Sequence, residues 1–242
     1  MSSASSLNQN CCVWDQYKYS IYRRLNEPKL YRFAAKGEWD LIPARCRSNP
    51  KEAACVHKYA PQDTALHRML RTQSCDQCNE EVKSNIFEMK KDAVKSLLTC
   101  NPAAATTNDS FRRNPLHWGC MDLPSHLNVT SSSLNEVSSE NCILVMLMDR
   151  VPEALSMRDI ESRTPLHYLV ARAQGTVPTS LIAKMVALFP AALEMEDEVG
   201  ETPLDIVKSR RNEILNADDL IKAMDNLQSM LSPSSSFRKV DD

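Results

Sequence analysis

Thr164-Pro165-Leu166-His167 opens an apolar stretch that runs on through Tyr168, Leu169 and Val170. Threonine before proline is a helix-start signature. The hydroxyl caps free amides, and proline suits the first helical position because its missing N–H would have no partner there. Leu166 is then expected to face inward, with His167 hydrogen-bonding near the helix start. Three related tetrapeptides occur: Thr64-Ala65-Leu66-His67, Asn114-Pro115-Leu116-His117 and Thr202-Pro203-Leu204-Asp205. The four leucines lie 50, 50 and 38 residues apart in chain order, which makes an internal repeat the first question.

A second mark answers it. Pro50, Pro102, Pro152 and Pro190 each follow an apolar run and each has alanine close behind. Counting back nine, eight, five and four places from Pro190 gives Leu181, Ile182, Met185 and Val186. The same offsets give Ile143, Leu144, Leu147 and Met148 before Pro152, and Ala93, Val94, Leu97 and Leu98 before Pro102. Before Pro50 they give Leu41, Ile42, Arg45 and Cys46, an imperfect copy. These offsets trace one face of an α-helix. From each proline to the next motif leucine the distance is 16, 14, 14 and 14 residues, whereas the distance from leucine to the following proline varies: 20 from Leu30, which opens the first unit, 36 from Leu66, 36 from Leu116 and 24 from Leu166. The connection into the next unit is nearly constant, and insertions fall between the two helices of a unit.

Residues 1–12 lack periodicity and are expected to be disordered. Trp14, Tyr17, Ile21, Tyr22 and Leu25 follow helical spacing and predict an N-terminal capping helix over 13–28. The first insertion, Thr72 to Glu81, is read partly as an extension of the helix that follows, since Val82, Ile86, Met89 and Ala93 keep its period. The second, Leu123 to Asn141, is Ser-rich and reads as a mobile loop. Ile214, Leu220, Ile221, Met224, Leu227 and Leu231 predict one or two closing helices, and 232–242 a flexible tail.

A helix–turn–helix unit opened by such a tetrapeptide and joined by a constant turn resembles the ankyrin repeat. Asp197-Glu198-Val199-Gly200-Glu201-Thr202 matches that family's D-x-x-G-x-T turn. Asp159 to Thr164 keeps it with Ser162 for glycine, Asp109 to Asn114 puts Arg112 there, and the turn before Thr64 has lost both marks. The resemblance covers roughly 29–210. It implies an all-α, ankyrin-like helical solenoid of about five helix pairs within 29–231, closed by N- and C-terminal capping helices. It also implies that the motif histidines bond backbone to fix helix and turn. Met69, Leu169 and Val207 stand where the family has a small residue two places beyond the histidine. Together with the long insertions they imply wider or less regular helix spacing.

Composition narrows the chemistry. Only 4 glycines stand against 13 prolines, which suits helices punctuated by proline rather than sheet. Net charge is −2, so no global field argues for nucleic acid, and the modest basic excess over 13–60 reads as solvated helix surface. Nine cysteines with no visible signal peptide predict free thiols and a reducing compartment, cytoplasmic or nuclear. The longest apolar run, Cys142 to Met148, is too short to cross a bilayer.

No phosphate loop, nucleophile elbow or metalloprotease helix is visible. Glu80-Glu81 and Asp218-Asp219 read as helix starts near the positive dipole end. Cys75-Asp76-Gln77-Cys78 has the spacing of half a zinc site or a redox pair, with His67, His117 or His126 as possible further ligands. Trp118 and Tyr168 read first as packing residues and second as exposed anchors.

By resemblance, the expected function is a non-enzymatic protein–protein interaction scaffold that uses repeat turns and the concave helix face. No cofactor, small-molecule substrate or nucleic acid is expected. The alternative is a regulatory thiol or zinc protein built on Cys75 and Cys78. For the scaffold, the candidate partner-binding residues are Phe111, Arg113, Glu161, Arg163, Glu198 and Glu201. They form an edge graded from positive, at Arg112 and Arg113, to negative, over Glu194 to Asp205.

Overall fold

Four helices of the chain end in the same way. Asn49, Asn101, Val151 and Phe189 each precede one of the marker prolines, with φ of −145°, −152°, −140° and −143°. A residue before proline is driven out of the helical region, so the helix stops there. Each still donates its N–H to the carbonyl four residues back, and the proline opens a short 3-10 turn. Pro152 and Pro190 therefore sit beyond their helices.

The computed structural model describes residues 28–57, 62–72, 79–127, 137–138, 140–173 and 176–231. Among these it is all-α, with ten α-helices and no strand. In chain order they are α1 (Lys29–Lys36), α2 (Leu41–Ser48), α3 (Ala65–Leu70), α4 (Glu80–Cys100), α5 (Pro115–Met121), α6 (Ile143–Arg150), α7 (Pro165–Ala171), α8 (Thr179–Leu188), α9 (Pro203–Ser209) and α10 (Ala217–Leu231). The sequence-predicted capping helix over 13–28, the terminal stretches 1–12 and 232–242, and Cys75 and Cys78 lie outside the described residues, Pro28 excepted.

The helices form two rows. In the first, α1, α3, α5, α7 and α9 each pack on the next; in the second, α2 packs on α4, α6 on α8, and α8 on α10. The motif leucines Leu30, Leu66, Leu116, Leu166 and Leu204 are all buried between the rows, together with Ile42, Val94, Leu97, Ile143, Leu147, Leu181 and Ile182. Apart from α4 and α10 the helices are too short to persist alone, so burial of their apolar faces against neighbouring helices supplies the stability. Leu41, on the imperfect copy, is instead 42% exposed.

The second row is interrupted between α4 and α6. A groove of about 550 Å³ opens there, bridged by polar side chains: Lys91 Nζ donates to Glu140 O, and Arg150 to Lys95 O. The closing element is a single helix, α10, which buries Leu220 and Met224 and carries Asp218 and Asp219 in its first turn. Likewise α4 starts at Glu80, so the first insertion does lengthen its helix at the C-terminal end.

The second insertion, of which residues 128–136 and 139 lie outside the described residues, departs from the expectation of a loop at its two ends. Leu123–His126 forms a 3-10 turn in which Leu123 and His126 are buried, and Leu127 pairs with Cys142 in an isolated β-bridge. The segment therefore leaves and re-enters the stack at a closed neck. Apolar Leu123 and the hydrogen-bonding His126 anchor it, which serine content alone does not reveal.

Candidate functional site

Four of the first-row helices, α3, α5, α7 and α9, begin with the same reciprocal capping box. In α3 and α7, His67 and His167 take the backbone N–H of Thr64 and Thr164 on Nδ1 at 3.1 Å, and each threonine hydroxyl lies 2.8 Å from the same nitrogen. With Nδ1 accepting, Nε2 carries the proton. It donates from His67 to Arg113 O at 3.0 Å, from His117 to Arg163 O at 3.1 Å, and from His167 to Glu201 O at 3.3 Å. Each histidine thus ties its helix to the turn of the next unit. Burial holds all three below the ordinary imidazole range, His117 down to about 4, consistent with this neutral form. In place of a hydroxyl, Asn114 brings an amide whose Nδ2 donates to Ala154 O at 2.7 Å.

The turns repeat as closely. Asp109, Asp159 and Asp197 each accept two backbone amides on Oδ1, from Phe111 and Arg113, Glu161 and Arg163, and Val199 and Glu201. The second oxygens differ. That of Asp109 accepts from Arg113 and from Trp118 Nε1, that of Asp159 from the Tyr168 hydroxyl at 2.6 Å, and that of Asp197 from Arg163. Burial alone would raise the Asp197 carboxyl, but the two amides and Arg163 outweigh it and hold it low. The third residue after each aspartate lies in the left-handed region, with φ of 58° at Arg112, 61° at Ser162 and 84° at Gly200.

Neighbouring turns are joined edge to edge. Ile160 N–H donates to Phe111 O at 3.1 Å, and Glu198 N–H to Glu161 O at 3.0 Å. Along this ribbon the apolar side chains of Phe111, Ile160 and Val199 are exposed by 45%, 52% and 72%. Glu198 and Glu201 are exposed beside them. Glu161 and Arg163 pair with each other at 2.6 Å, so much of their charge is already neutralised.

Arg113 is placed differently from the expectation of a free docking cation. Its guanidinium lies 4.4 Å from the Phe111 ring centroid and 4.0 Å from that of Trp118, and it bonds to Asp109. It organises the turn. The exposed cation there is Arg112, the left-handed residue of the turn. Tyr168 is buried, as a packing residue should be, while Trp118 is partly exposed.

The turn before α3 is the divergent one. His57 replaces the aspartate, donates its N–H to Asp63 O at 2.8 Å and stacks on Tyr31. From His57 to Asp63 is six positions, against four from Asp109 to Arg113, which accounts for the proline-to-leucine distance of 16 rather than 14. Both carboxylate oxygens of Asp63 are buried without a hydrogen-bond partner among the described residues.

A buried polar cluster closes the other end of α3. Lys90 Nζ donates to Thr72 O at 3.0 Å, and His126 bonds Leu70 O through Nε2 at 2.9 Å. Burial pushes the Lys90 ammonium down to about 7 and His126 well below the usual range, Lys90 adding repulsion to the latter. His126 Nδ1 has no partner, whereas His67 and His117 use both nitrogens. Among the described residues no group of histidine, cysteine or carboxylate side chains is placed to hold a metal ion. Cys46, Cys55, Cys100, Cys120 and Cys142 are free. Burial raises the thiol of Cys46 to about 12 and that of Cys142 to about 11.

Among the described residues no helix is long and apolar enough to cross a membrane. Neither protein-family models nor curated proteins provide a match to the chain.

Proposed function

We propose that the chain is a non-enzymatic scaffold: an ankyrin-like solenoid that binds another protein along its turn ribbon and the adjoining side of the first row. One observation carries this reading. Three successive histidines reach from the start of one helix to the turn of the next unit, so the turns are held as a continuous, pre-ordered edge. A rigid edge lowers the ordering cost of association. The exposed Phe111, Ile160 and Val199 supply apolar contact, and the charge along the ribbon fixes orientation. The partner is a protein rather than a small molecule or nucleic acid, since the edge is long, shallow and acidic at one end.

Site-specific photo-crosslinking tests the reading. A crosslinker at Ile160 or Val199 is expected to capture a protein from cell extract, whereas one at Lys222 or Asn226, on the exposed side of α10, captures none. Capture confined to the α10 positions would move the docking surface off the ribbon.

A further inference from the structure

Resting on that scaffold reading, the geometry points to an acidic, aromatic- or aliphatic-bearing peptide segment as the partner element, docked where α3 and α5 meet the Phe111 turn.

The cations there lack counter-ions. Arg68, Arg71 and Arg112 form no ion pair among the described residues, and Arg71 and Arg112 are exposed. The nearby carboxylates do not compensate them. Asp109 is buried and spent on two amides, Arg113 and Trp118, and Asp63 is buried without reaching any donor. Arg68 adds a buried Nε with no acceptor, so the face lacks negative partners in more than one place.

The same face carries flat apolar surface. Arg71 lies 4.8 Å from the Trp118 ring centroid and Arg113 lies 4.0 Å from it, with Phe111 beyond Arg113. Stacking on Trp118 holds the Arg71 guanidinium plane in place, which lowers the ordering cost of a carboxylate bonding to its edge. Partly exposed Trp118 and Met121, with Phe111 at the rim, offer contact for an apolar residue next to the acidic ones.

A uniformly charged polyanion fits the surface less well. Farther along the same ribbon stand Glu194, Glu196, Glu198 and Glu201, which repel a nucleic acid strand laid along it but not a peptide whose acidic residues are clustered.

Panning a random twelve-residue peptide library against the full chain tests this. Enriched sequences are expected to combine several Asp or Glu with an aromatic or aliphatic residue. Their affinity should fall with salt and drop about tenfold or more for the exposed double variant R71E/R112E, with partial retention in R71K/R112K. Melting curves of both variants should match the parent within a few degrees. Enrichment of neutral or basic peptides that survive R71E/R112E but are lost on E198K/E201K would overturn the acidic partner while leaving the scaffold reading standing. Enrichment of nothing would overturn the acidic peptide, while crosslinked capture at Ile160 or Val199 would keep the scaffold reading standing. Fluorescence anisotropy with a twenty-nucleotide single strand is expected to show no binding. Binding that R71E/R112E abolishes would assign the face to nucleic acid instead.

Discussion

Helices α3 and α7 start alike and end differently. Both open with a threonine–histidine capping box whose imidazole bonds onward to the next turn. At the C-terminal end of α7, Arg210 donates to Val170 O and Ala173 O and pairs with Glu213, whose side chain is 63% exposed. At the end of α3 the carbonyls of Thr72 and Leu70 are met by Lys90 and His126, both buried, and among the described residues no carboxylate is in ion-pair contact with Lys90. Both arrangements satisfy the free carbonyls of a helix end. Only the second removes an ammonium from water to do so, and that is the costlier way. Among the described residues, the four buried side-chain polar atoms without a hydrogen-bond partner lie on Asp63, Arg68 and His126, and none lies beyond residue 126. In α5, α7 and α9 and the turns before them, where the motif repeats faithfully, the described buried side-chain polar atoms all have a partner. At the divergent turn before α3, on α3 itself and at the neck of the second insertion, the match is incomplete.

The largest effect expected from this contrast is acid lability. His67, His117, His126 and His167 all have lowered pKa values in the fold, so the unfolded chain binds protons first as pH falls below about 6.5. The stability they confer is complete above that value and is lost on acidification, for His117 down to about 4. Native-state hydrogen exchange at pH 5 should show α3 and the Leu123–His126 turn opening before α7, because burial and the nearby Lys90 hold His126 well below the ordinary imidazole range there. Equal protection of α3 and α7 would erase the distinction between the two ends.

Leu166→Ala should cost roughly 2–5 kcal/mol in urea unfolding, since it removes a fully buried side chain from the centre of the stack. Leu66→Ala should fall in the same range with a single transition, if the two regions unfold together. A biphasic curve for either variant would separate them. The Lys90 ammonium sharpens the comparison further. Its folded pKa of about 7 lies below the ordinary 10.5, so the unfolded chain holds the extra proton between those values. Relative to Lys90→Met, the parent should gain stability as pH rises through that window, with a slope of up to about 1.4 kcal/mol per unit, and run parallel below it. Parallel curves throughout would mean that Lys90 reaches water.

Much of this was legible from spacing. Four prolines and five leucines at related intervals mark the helices, and the D-x-x-G-x-T traces mark the turns down to the left-handed residue. The turn cations divided in a way that spacing does not carry. Arg112 and Arg113 are neighbours in sequence, yet the backbone turns one outward and stacks the other between two rings. The exposed Ile160 and Val199 had a usable signal, since apolar residues at the tips of polar turns are unexpected. The α3 cluster had none. Lys90 lies on a helix with a solvated face, and His126 lies in a serine-rich insertion. Only the loop's return at Leu127 and Cys142 brings His126 against Leu70.

The smallest effect tests the turns themselves. Ser162 and Gly200 occupy the same turn position with φ of 61° and 84°, a region where a Cβ meets the neighbouring carbonyl. Around Gly200 an added Cβ would meet no heavy atom within 4 Å, so substitution there changes backbone strain without creating a clash. Ser162→Gly should therefore stabilise the fold by about 0.5–1 kcal/mol, after the entropy glycine loses on folding. Gly200→Ser should destabilise it by a similar amount. Neither change should alter peptide binding at Arg71 and Arg112, because the turn hydrogen bonds use backbone and the aspartate. Thermal melts of the two single variants and the double exchange decide the matter. If Ser162→Gly destabilises, the serine side chain contributes a contact that offsets its strain, and the two turns are not equivalent despite their shared geometry.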